Sequence, residues 1–165
     1  MNKKIILILS IPIVLFAVFS HYRNSENIAF TGYNKVNIAM GDSRILAYIA
    51  DDQVKAEKGL GGITNLDEGN GMLFSFEQIL DKNKYLNGQD YRKEKSGIWM
   101  KDMKFPIDII WLNHLFEIVD IKEKVSQYSY PEIFYSKGDF LYILELPYGF
   151  SSKNSIKVGQ KIKFL

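Results

Sequence analysis

Residues 140–146 read FLYILEL and run straight into a Pro-Tyr-Gly turn at 147–149. Six of the seven are apolar or aromatic, the run is too short for a free-standing helix, and turn formers bound it, so it reads as the strongest strand of the chain. Its one charged residue is Glu145. Alternation puts Glu145 on the same side as Leu141 and Ile143, which predicts a partly buried carboxylate.

Working outward from that strand, short apolar runs recur between turn signals. Upstream lie Ile98–Lys101 and Asp108–Asn113, joined by the Pro106 segment, then a tight turn at Asn113-His114 and a further strand over Phe116–Lys122. Earlier in the chain, Val36–Met40 and Arg44–Ala50 flank Gly41-Asp42-Ser43 as a hairpin, and Met72–Phe76 is entered through Gly69-Asn70-Gly71. Asp51 and Asp52 stand at the N-cap of a short helix over Gln53–Lys58, which Gly59, Gly61 and Gly62 stop. One helical turn fits within Gly149–Ile156, and Ile162–Leu165 is a last short strand. Residues 77–97 read as a long polar surface loop, with a helical turn near Phe76–Leu80. Strands this short at this spacing predict an all-β domain over residues 36–165, a sandwich or a barrel with short helical turns.

The chain has 165 residues, 47% of them hydrophobic, and no cysteine. That is enough apolar material for one folded domain, and it excludes disulfide scaffolds, zinc ribbons and thiol nucleophiles. The formal net charge is +2, but the first twenty residues differ from the rest. Lys3 and Lys4 precede a greasy run from Ile5 to Phe19, the pattern of a signal peptide or an N-terminal anchor. Extending the run through Tyr22 brings it close to bilayer thickness, and Val18 and Ser20 supply only half of a cleavage site. An uncleaved membrane helix over 1–22 is therefore favoured, with secretion as the outcome if the signal is cleaved. Lys3 and Lys4 then stay in the cytoplasm, residues 23–35 form a polar spacer, and the domain is extracytoplasmic. Removing those two lysines from the 21 basic residues leaves 19 against 19 acidic ones. An exported part, residues 21–165, without net charge lacks the excess cation that nucleic acid binding needs, so no nucleic-acid partner is expected.

No nucleophile elbow, paired-histidine metal motif or phosphate loop is present, and the two histidines sit at the membrane edge (His21) and a hairpin tip (His114). No catalytic residue, cofactor or metal is expected. Four residues are candidates for a ligand pocket: Trp99 as a wall, and Lys101, Asp108 and Glu145 as its charged lining. Lys101 and Asp108, on either side of the Pro106 connection, would face one another across strands, where an ion pair pinning a hairpin is the plainer role. A second candidate is the aromatic loop carrying Tyr128, Tyr130 and Tyr135, suited to stacking on sugars or on a protein, whereas Phe134 belongs to the core. The leading expectation is a non-catalytic binding module for an envelope glycan, a small molecule or an exported protein. The alternatives are an envelope-carbohydrate enzyme using Glu145 with Asp108 as a carboxylate pair, and a structural ectodomain of a membrane complex.

Several stretches also carry a family resemblance: Gly59-Leu60 with Leu66, GMLFSF at Gly71–Phe76, WMKDMKFPIDIIW at Trp99–Trp111, YILELPYGF at Tyr142–Phe150 and the ending IKVGQKIKF. Together they resemble domain of unknown function 192, a family of small, often exported prokaryotic proteins, from about Val36 to the C-terminus. The resemblance implies a compact β-sandwich of jelly-roll type and assigns no activity. This chain has Gly61 and Ile63 where the family usually has methionine and arginine, so an anion held by that arginine in relatives has no counterpart here.

Overall fold

The computed structural model describes residues 30–76 and 97–165. The membrane helix expected over 1–22, most of the spacer and nearly all of the polar loop at 77–97 lie outside the described residues. No helix among the described residues is long and apolar enough to cross a membrane.

Tyr33–Leu165 forms a compact unit. Its strands are β1 (Asn34–Met40), β2 (Ser43–Ala50), β3 (Asn70–Ser75), β4 (Ile98–Trp99), β5 (Ile107–Leu112), β6 (Ile118–Val125), β7 (Ile133–Phe134), β8 (Tyr142–Pro147) and β9 (Lys163–Phe164). Two helices, α1 (Gln53–Lys58) and α2 (Phe150–Lys153), complete the described elements. The domain is thus mostly β, as the strand spacing predicts, and most strands fall within two residues of the expected places.

The layering differs from a jelly-roll sandwich. Seven strands form one mixed sheet in the order β6-β5-β8-β3-β2-β1-β9, and β4 and β7 make a separate two-stranded ribbon. The parallel pair β2·β3 is the reason. Parallel neighbours need a crossover rather than a tight turn, and the chain supplies one through α1 and the loop after it. Asp52 caps α1 by accepting from the Lys55 N–H at 2.8 Å, and Gly59 ends it at φ 50°.

The two edges of the sheet approach each other through the C-terminal segment. Gly159 and Ile162 donate to the carbonyls of Ile118 and Phe116, and Ile118 donates to Gln160, so residues 159–162 bond to the start of β6. Directly afterwards β9 pairs with β1. The sheet therefore curls into a half-barrel whose concave side holds the main core: Ile38 and Met40, Ile45 and Ala47, Leu73, Ile110 and Leu112, Tyr142, Leu144 and Leu146, with Phe150, Ile156 and Ile162 from the C-terminal segment. Phe116 stacks against Tyr142 and Phe164 in the same region, at centroid distances of 4.9 and 4.7 Å.

The three central strands, β5, β8 and β3, are buried on both sides, which explains their near-continuous apolar sequences. Their second face carries Met72, Phe74, Ile109, Trp111, Ile143 and Glu145. Gly59 lies over Phe74 there, close enough that an added Cβ would stand 3.5 Å from its ring. Leu60, Leu66 and Met100, all in loops, are buried outside the concave core.

The expected hairpin of Lys101 with Asp108 is not formed. β4 pairs with β7, while β5 pairs with β6 and β8. The Pro106 segment is a crossing between sheets, and no local signal distinguishes that from a return along the same sheet.

Candidate functional site

The crossover after β2 and the crossing before β5 run side by side, and the space between them is a groove of about 800 Å³. One wall is α1, with Val54, Glu57 and Lys58; the other is the 99–104 segment, with Trp99, Lys101, Asp102 and Lys104; Gly61 and Gly62 lie between. The Gly62 N–H donates to the Asp102 carbonyl at 3.0 Å and ties the two walls together. Gly61 has no room for a side chain, because a Cβ would meet the Lys58 carbonyl at 2.9 Å, and Gly62 has φ +81°. The bed of the groove is consequently bare backbone.

Charge in the groove is mixed. Lys58, Lys101 and Lys104 make no ion pair with another described residue, unlike Lys55, which is bound by Asp51 and Asp52. That pairing, through a hydrogen bond from Lys55, holds the Asp51 carboxyl below the usual carboxylate range. Glu57 accepts from Gln53 Nε2 at 2.9 Å.

Trp99 is 49% exposed at the groove and also belongs to the β4·β7 ribbon, opposite Ile133. The ribbon places Tyr135, the residue after β7, beside Gly97, the residue before β4. Gly97 sits beneath Ile133 and Tyr135, where a Cβ would fall 2.2 Å from Ile133 Cγ2 and 2.8 Å from Tyr135 Cε1. Tyr128, Tyr130 and Tyr135 are all exposed, and the Tyr130–Pro131 bond is cis. Phe134 is buried, as its assignment to the core expects, with Lys122 Nζ 5.6 Å from its ring centre.

Of the four pocket candidates, the structure brings Trp99 and Lys101 to one groove and places the other two elsewhere. Asp108 is fully buried on the concave side. Its Oδ1 accepts from the N–H groups of Lys124 (2.8 Å) and Gly149 (3.0 Å), and its Oδ2 from Ser151 (2.8 Å). Three amide donors on one carboxylate describe a fastening of β6, the turn after β8 and the start of α2.

Glu145 pairs in register with Ile109 on one side and Met72 on the other, and is 4% exposed. Burial pushes its carboxyl up to about 8. It forms no ion pair with another described residue. Trp111, whose indole N–H is buried without a described hydrogen-bond partner, lies on the same face two residues along. Asp108 and Glu145 are one residue apart in the β5·β8 register and so point to opposite faces, which does not assemble the facing pair that glycoside hydrolysis requires.

Sequence reading missed Lys58, Lys104, Gly61 and Gly62 as groove residues. The glycines carried a signal, read as a helix stop, but the proximity of 58–62 to 99–104 is long-range and had none. Asp120 was also missed: it is buried and accepts from Lys137 N–H at 2.8 Å, fastening β6 to the turn at 136–138. Among the described residues no group of three or more histidine and acidic side chains is placed to hold a metal ion.

Two solved structures share the fold. One is a protein of unknown function from Novosphingobium aromaticivorans, with a TM-score of 0.61 and 22% identity over 79% of this chain and 84% of that one. The other is described as a putative transcription regulator from Sinorhizobium meliloti, with a TM-score of 0.64 and 21% identity over 81% of this chain and 94% of that one. No curated protein matches the chain. The family model of domain of unknown function 192, described as an uncharacterised ACR, matches residues 35–164. With nearly the whole of the described domain inside that match, this chain belongs to the domain of unknown function 192 family.

Proposed function

We propose that this protein is a membrane-tethered, extracytoplasmic binding module without catalytic activity. Its ligand is taken in the groove between α1 and the 99–104 segment and across the adjoining β4·β7 ribbon. Residues 1–22 are its anchor, with Lys3 and Lys4 on the cytoplasmic side.

The observation that carries the reading is Trp99. A half-exposed indole is costly to leave in water, and here it stands where an open groove meets the β4·β7 ribbon, which exposed Tyr135 directly follows. Binding surfaces are built this way, with an aromatic anchor beside a few polar groups.

The two tryptophans make a direct test, because Trp99 is exposed and Trp111 is 1% exposed. The full chain, purified in detergent, is titrated with envelope polysaccharide and with exported proteins while tryptophan emission is followed. The expected result is a blue shift and protection from iodide quenching that Trp99→Leu abolishes. If no envelope fraction changes Trp99 emission, the binding reading fails. An alkaline phosphatase fusion at Leu165 tests the topology separately: activity is expected, and an inactive fusion of normal abundance overturns the extracytoplasmic placement.

A further inference from the structure

Resting on the binding-module reading, we infer that the groove between α1 and the 99–104 segment takes an acidic glycan, a chain of hydroxyl-rich rings bearing carboxylate or comparable anionic groups. Three features together select that chemistry. Lys58, Lys101 and Lys104 present ammonium groups that no described carboxylate neutralises by an ion pair, and a lysine is a compact point charge suited to an anion of any geometry. Glu57 and Asp102 stand among them, and carboxylates act only as acceptors, which suits ligand hydroxyls. Trp99 offers a flat apolar face at the groove's edge, and the backbone bed at Gly61 and Gly62 leaves a ring unobstructed.

Other polyanions fit less well. A nucleic acid would set a phosphate against Glu57 and Asp102, and residues 21–165 carry no net positive charge to release counterions. An acidic peptide would use the lysines but would leave the two carboxylates without hydroxyls to bind. A neutral glycan would leave three lysines idle. The mixture of both charge signs beside an aromatic face favours a ligand that is at once anionic and rich in hydroxyls.

The test uses the full chain in detergent and four probes: oligogalacturonate, a neutral dextran of similar length, a poly-glutamate peptide and an oligothymidylate. Trp99 emission is the readout. Oligogalacturonate is expected to bind at least about tenfold more tightly than the other three, with affinity falling as salt rises. The double variant Lys101→Ala/Lys104→Ala should lose about tenfold or more in affinity for it, while Lys157→Ala, which does not line the groove, should lose nothing. Dextran binding as tightly as oligogalacturonate overturns the acidic assignment and leaves the binding module standing. Tighter binding of poly-glutamate or oligothymidylate replaces the glycan with a peptide or a nucleic acid. If none of the four probes and no envelope fraction alters Trp99 emission, the acidic-glycan assignment and the binding-module reading fall together.

Discussion

The two sides of the central sheet treat a buried carboxylate in opposite ways. On the concave side Asp108 accepts three backbone N–H bonds and fastens three separate segments. On the other side Glu145, one step away in register, lies between Ile109 and Met72, and burial raises its carboxyl to about 8. Burial strips a carboxyl of its water, and that loss must be offset locally. Asp108 is offset by three amide hydrogen bonds and acts as a structural tie. At Glu145 burial favours the protonated form instead.

Removing the tie should have the largest effect. Asp108→Ala leaves three amide donors without their acceptor, that of Ser151 fully buried, and is expected to cost about 3 kcal/mol in a urea titration. A loss below about 1 kcal/mol would show that water replaces the carboxylate and that the contrast between the two faces is false.

The second expectation concerns pH. The folded protein holds the Glu145 proton up to about 8, whereas the unfolded chain releases it near 4.5. The native state therefore binds more protons across that window, and stability falls as pH rises from about 5 to 8 before levelling off. The slope approaches ~1.4 kcal/mol per pH unit at its steepest. Glu145→Gln should flatten this dependence and be the more stable form at pH 8. An unchanged slope in the variant would assign the pH dependence to another group.

A smaller effect is expected at the ribbon. Gly97→Ala forces a methyl group into the space of Ile133 and Tyr135 and should cost about 1–3 kcal/mol. Because β4 carries Trp99, the same variant should also change the accessibility of that indole to iodide. A stability loss with unaltered Trp99 quenching would separate the ribbon from the groove. The smallest effect belongs to the exposed pair of Lys153 with Glu68. Glu68→Gln is expected to change stability by under ~0.5 kcal/mol, and a larger loss would mean that this pair helps Asp108 hold α2 in place.

Much of the fold is legible one segment at a time. The helix at Gln53–Lys58 lies where the Asp52 cap and the Gly59 stop place it, and FLYILEL contains all of β8 except its last residue, Pro147. These are local events, in which a cap or a turn closes within a few residues. The pairing of strands is not local. The Pro106 segment and the loop after α1 look like ordinary connections, yet one crosses between sheets and the other joins parallel neighbours. Strand spacing suggests a sandwich and the Pro106 segment a hairpin of Lys101 with Asp108, whereas the strands assemble as one curled mixed sheet and a separate ribbon.

The candidate site divides along the same line. That Glu145 is buried follows from alternation in an apolar run, and that Trp99 and Lys101 stand together follows from their nearness in sequence. The other wall of the groove comes from residues 54–62, some forty positions earlier, and no property of those residues marks them as neighbours of Trp99.

Read on its own, the chain yields a strand-rich domain with almost no net charge after a basic-flanked apolar start, and every strand but β7, whose segment reads as an aromatic loop. Those facts depend on side-chain chemistry and on a period of two, both readable within a few residues. Only the tertiary structure decided that the sheet curls, that its C-terminal segment bonds to both edges, and that two buried carboxylates one step apart face opposite ways. Register and crossover are set by which surfaces bury best against each other across the whole chain. A change of one residue in register exchanges a core position for the opposite face, and no local pattern records that choice.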